Sequence, residues 1–106
     1  MKIKCIVKRP DEKAGHMTWI SDTLENLQLH VGGYIECVTL TSDAVMIVNE
    51  EGKIRDLPRN FRFGATFPDI IHGMVIICGR DGDGFADIPF DMAVWKHLLK
   101  MWGNEI

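Results

Sequence analysis

The chain opens with a two-residue rhythm. Ile3, Cys5 and Val7 share one face and Lys2 and Lys4 the other, with Lys8 closing the run. That period predicts a strand over 2–8 with one buried face. Residues 10–15 are polar and turn-like, and 16–20 predict a second strand that closes a hairpin. The spacing then becomes helical. Leu24, Leu27 and Val31 recur at i, i+3 and i+7. Asp22 and Glu25 form a capping signal ahead of them, and Gly32-Gly33 ends the helix through a left-handed turn. A strand over 34–40 and a turn at 41–43 follow.

Two runs lack alternation. Residues 44–48 are apolar throughout and 70–78 almost throughout. A strand buried on one face would alternate, so both are expected to be central and covered on two faces. Between them the pattern predicts a tight turn at 49–53 with Gly52 at positive φ. A return strand over 53–57 is stopped by Pro58, and 59–68 reads as an irregular loop. The glycine-rich stretch from Gly79 to Gly84 turns the chain, and Phe85-Ala86 pairs back. Pro89 opens a last helix that runs to about Trp102 and stops at Gly103. These elements predict an α+β fold: a mixed, mainly antiparallel sheet of about five to six strands carrying two helices. A chain of 106 residues makes this a single domain, 1–106.

The last helix carries more apolar surface than one sheet face would hide. At 100° per residue, Phe90, Met92, Val94, Trp95, Leu98, Leu99, Met101 and Trp102 cover an arc of about 200°. Surface helices need a stripe of about 100° or a little more. Two readings fit. Either the helix docks deep between the sheet and the Phe61-Arg62-Phe63 loop, or Met92, Trp95, Leu99 and Trp102 form the seam of a homodimer or a host-protein contact.

Composition narrows the classes. Hydrophobic residues make up 46% and charged residues 25%, which favours a folded core. No apolar run is long enough to span a bilayer. Charges thread through the N-terminal residues, so a signal peptide is not expected. A net charge of −3 makes nucleic acid an unfavoured partner. Cys5, Cys37 and Cys78 are widely spaced in strand-like runs and are expected to be reduced core thiols.

Candidate chemistry is sparse. Asp81, Asp83 and Asp87 resemble part of a calcium loop, but the flanking ligand positions fall on Gly79 and Phe90, so a turn is the better reading. No metal and no cofactor is expected. No nucleophile elbow, phosphate loop or His-x-x-x-His helix occurs, so no catalytic residue is assigned. Lys53, Arg55, Arg59 and Arg62 lie close in sequence with Phe61 among them. With Tyr34, the residues Arg55, Arg59, Phe61 and Arg62 make a candidate site for a small anionic ligand or nucleotide; a solvated rim with inward phenylalanines is the alternative. Glu36 and the 49–52 turn are expected to lie near each other at one end of the sheet.

Thr23-Leu24-Glu25-Asn26-Leu27-Gln28 followed by Val31-Gly32-Gly33-Tyr34-Ile35-Glu36 carries a family resemblance. So do Asn49-Glu50-Glu51-Gly52-Lys53, Leu57-Pro58 with Asn60, and Asp69-x-Ile71-x-Gly73. Over roughly residues 1–100 the chain resembles a family of small uncharacterised proteins of bacteriophages, prophages and conjugative elements. The resemblance implies an accessory protein in the cytoplasm of a bacterial host, without assigned catalytic residues. The leading expectation is a non-enzymatic protein acting by protein–protein contact, as a homodimer or on a host protein. The alternative is a binder of a small anionic ligand or nucleotide, including an anti-defence role.

Overall fold

A computed structural model describes all residues 1–106. The strands are β1 Lys2–Lys8, β2 His16–Ser21, β3 Ile35–Thr41, β4 Ala44–Asn49, β5 Arg59–Phe63, β6 Asp69–His72, β7 Val75–Asp81 and β8 Gly84–Ala86. The helices are α1 Leu24–Val31 and α2 Met92–Met101. The main sheet has six strands in the order β2-β1-β7-β4-β3, with β8 also pairing β7. A second, two-stranded sheet is the β5–β6 hairpin. Every pairing is antiparallel. The architecture is α+β, as the pattern predicts.

β4 and β7 are neighbours at the centre, in register Met46↔Ile77 and Ile47↔Ile76. Alternate side chains enter two separate cores. Val45, Ile47, Ile76 and Cys78 join Leu27 and Val31 of α1 on one face. Met46, Val48, Val75 and Ile77 meet Phe61, Ile71, Trp95, Leu99 and Trp102 on the other. α1 covers the first face, while α2 and the β5–β6 hairpin cover the second. Both faces of the central strands are thus closed within one chain.

Several expectations need correction. Residues 70–78 are not one strand. Gly73, at φ +84, turns the chain between β6 and β7, and its carbonyl accepts from Asn60 Nδ2 at 2.7 Å. A strand over 53–57 has no place to pair, because β4 already holds β3 on one side and β7 on the other. Residues 50–57 instead coil into successive turns, with Arg55 N–H donating to the Glu51 carbonyl at 2.9 Å. Positive φ falls on Asp56 (52°), not on Gly52. Gly52 serves close approach: a Cβ there would lie 3.0 Å from the His72 carbonyl. The segment expected as an irregular loop contains β5, whose period is masked by a bulge between Arg59 and Phe61.

The helix starts also shift, by one residue for α1 and by three for α2. Thr23, not Asp22, caps α1, its hydroxyl accepting from Asn26 N–H at 3.3 Å. Asp22 faces the N-terminal ammonium instead, and Leu24 is exposed. Asp91 caps α2 by accepting from Val94 N–H at 3.0 Å, so Pro89 lies before the helix. Gly32 closes α1 in the left-handed conformation at φ 79.

Candidate functional site

The last helix resolves toward its deep-docking reading. Trp95 is 0% exposed and Trp102 is 8% exposed. Trp95 Nε1 donates to the Ala14 carbonyl at 2.8 Å. Phe61 stands edge-on to Trp95 at 5.5 Å between ring centroids, and Phe63 edge-on to Trp102 at 4.9 Å. The hairpin that sequence leaves irregular supplies the cover. Trp95, Leu99 and Trp102 are therefore core residues of one protomer and unavailable as a seam. Met92 is half-buried, and Val94 and Met101 remain exposed on α2.

The five residues of the candidate anion site do not converge. Arg55 Nη1 donates to the Gly32 carbonyl at the end of α1, 3.1 Å away. Phe61 is in the core. Arg62 lies at the other end of the molecule's hairpin, where its backbone N–H donates to Asn104 Oδ1 at 2.9 Å. Arg59 is exposed at the start of β5 and Tyr34 is exposed ahead of β3. None of the five lines a cavity.

A different cleft, of about 480 Å³, lies between the sheet and the hairpin. Glu36 and Val38 of β3 form one wall, and Val48 and Asn49 end β4 beneath it. The 50–57 turn contributes Glu50, Lys53 and Ile54, and β6 contributes Asp69 to His72. Phe63 and Phe67 close the hairpin side. The expected meeting of Glu36 with the 49–52 turn is found here.

Local bonds fix this site. Asn49 is buried, with Nδ2 donating to the Val31 carbonyl at 3.0 Å and Oδ1 accepting from Glu51 N–H at 2.8 Å. That ties the turn to the end of α1. Lys53 donates to Asp69 and bridges the turn to β6. The bond from Lys53, against the opposing effect of burial, holds the Asp69 carboxyl below its ordinary value. His72 Nδ1 lies 2.8 Å from the Leu57 carbonyl. A carbonyl only accepts, so Nδ1 carries the hydrogen and Nε2 of the neutral ring is an acceptor.

Two apolar side chains stand at the mouth in water: Ile54 is 84% exposed and Phe67 is 90% exposed. Three carboxylates (Glu36, Glu50 and Asp69) face one ammonium, that of Lys53. The field is negative, which opposes an anionic ligand. Sequence reading misses Lys53, Ile54, Phe67, Asp69 and His72 as a set, because they join only through the hairpin's position on the sheet. The available signal is Ile54 and Phe67, lone large apolar residues in polar runs.

The other sequence candidates have structural uses. Asp81 and Gly84 pair across a tight hairpin with Gly82 at φ 60, and Asp87 accepts from the Lys4 backbone N–H at 2.9 Å. Cys5 and Cys78 are buried, but Cys37 is exposed on β3, against expectation. No helix is long and apolar enough to cross a membrane.

A family model described as a domain of unknown function (DUF3846) matches residues 1–103. No curated protein and no solved structure matches the chain.

Proposed function

The chain belongs to the DUF3846 family, and from that premise we propose that it is a non-enzymatic accessory protein of a phage or mobile element. It acts in the bacterial host by protein–protein contact, and the cleft is its contact site. The observation that carries this reading is the pair Ile54 and Phe67, held in water at the rim of an acidic cleft. Exposing large apolar side chains has a cost of about 1.5–3 kcal/mol each relative to burial. A partner that covers both recovers it, and the two line the same cleft, unlike the other highly exposed apolar side chains such as Leu29 of α1.

The partner is a host protein. Self-association through α2 loses its anchors, since the indoles lie inside the protomer. The acidic rim then selects a partner with a basic surface.

A photo-crosslinking residue in place of Phe67 tests this in cells that carry the element. A discrete protein adduct of fixed mass is expected, and it should vanish when Glu50→Lys is added. If position 67 yields no protein adduct while small molecules raise the melting temperature of the purified protein, the contact reading is wrong.

A further inference from the structure

We propose that the outer edge of β3 takes up an extended segment of the partner as an added strand, with basic side chains of that segment entering the cleft. This rests on the contact reading above and names its mode.

β3 is the last strand of the main sheet, paired only with β4. The Glu50 N–H donates to the Tyr34 carbonyl at 2.9 Å, and the register places Ile35 opposite Asn49 and Glu36 opposite Val48. In an antiparallel ladder, bonded and non-bonded pairs alternate. The backbone groups of Tyr34, Glu36 and Val38 therefore point to β4. Those of Ile35, Cys37 and Thr39 point outward, where a new strand could bond them.

Edges are normally guarded by lysine, proline, a bulge or short length. β3 has seven residues, no proline and one charge, Glu36, and its one irregularity, between Thr39 and Thr41, lies beyond the Glu36–Val38 stretch that borders the cleft. That charge and Val38 line the cleft, so the face beside the free edge is the cleft face. A strand added here presents every second side chain to the cleft. Glu36, Glu50 and Asp69 against Lys53 alone make lysine or arginine the complement at those positions. The opposite edge strand, β2, gives only Met17 to a second cavity, whose one carboxylate, Asp91, is matched by Lys4.

The probe is a fluorescent octapeptide alternating lysine with threonine, with two twins. One carries glutamate for lysine, and the other is N-methylated at alternate residues so that it cannot complete a ladder. Fluorescence anisotropy on the whole chain should show the parent peptide bound and each twin weaker by at least about tenfold. Cys37→Pro should weaken the parent similarly while the melting temperature holds, because the N–H it removes faces outward. Amide exchange at Cys37 should slow in the complex. Equal binding of the N-methylated twin, or no binding of the parent peptide, overturns the added strand. A dimer in sedimentation that Cys37→Pro abolishes, with no peptide bound, overturns it in favour of a second copy. The crosslink at position 67 is read separately, so the contact reading can survive the loss of this one.

Discussion

The ammonium of Lys8 sits in a residue 2% exposed, and its hydrogen bonds go to neutral oxygens. Nζ donates to Asn60 Oδ1 at 2.6 Å and to the Glu12 carbonyl at 2.7 Å. It also lies 5.6 Å from the Phe61 ring centroid. Desolvation holds its pKa below the ordinary 10.5, with Glu12 and Asp11 opposing. Asn60 returns two bonds, to the carbonyls of Lys8 and Gly73. This pair staples the β5–β6 hairpin to β1, and so positions one wall of the cleft. Lys8→Met leaves Asn60 Oδ1 and the Glu12 carbonyl without their donor. A loss of about 1–3 kcal/mol is expected in urea unfolding. Trp95→Ala removes a fully buried indole and should cost about 3–5 kcal/mol. Light scattering on the folded fraction should show the same mass as wild type, because Trp95 packs inside its own protomer.

At the scale of elements, the hairpin decides most. β5 and β6 cover α2's aromatic side and frame the cleft at once. Their separation from β7 depends on Gly73. Its φ of +84 is costly for an L-residue, and a Cβ there would lie 2.9 Å from Leu57 Cδ1. Gly73→Ala is expected to destabilise by about 1–2 kcal/mol through the backbone alone. Amide exchange should rise first in β5 and β6, ahead of β4 and β7, since the hairpin is paired only with itself. Uniform acceleration across both sheets would show that the hairpin does not open as its own unit.

Across the whole molecule, two buried thiols report on global unfolding. Burial raises Cys5 to about 11 and Cys78 to about 12, from an ordinary 9.0. The folded state therefore holds those protons more tightly than the unfolded chain does. Their stabilising contribution is complete below pH 9.0 and is lost as pH rises through about 11 and then about 12. Lys8 runs with the opposite sign, its penalty easing as pH rises toward 10.5. The comparison is therefore Cys5→Ala/Cys78→Ala against wild type. Unfolding free energy should fall less steeply above pH 9.0 in the double variant. A thiol reagent should modify Cys37 first and the other two only after global opening. Rapid modification of all three under native conditions would contradict the closed double core.

The one-faced burial expected of β1 fails, since Ile6 and Lys8 are buried on its other face. Period and composition determined the existence of β1, β2, β3, β4 and both helices, and the α+β class. These follow from side-chain spacing, which is local. Cys37 shows the limit of that reading, since a strand-like run says nothing about which strand ends the sheet. The return strand over 53–57 fails for the same kind of reason: pairing partners are used up elsewhere in the chain. Both indoles look like surplus until β5 folds onto them, because burial depends on what long-range contacts bring. The cleft is likewise a product of sheet order. Glu36 and the 49–52 turn meet through adjacent strands and were legible, while Phe67, Asp69 and His72 arrive on a hairpin whose position only the packed aromatic core decides.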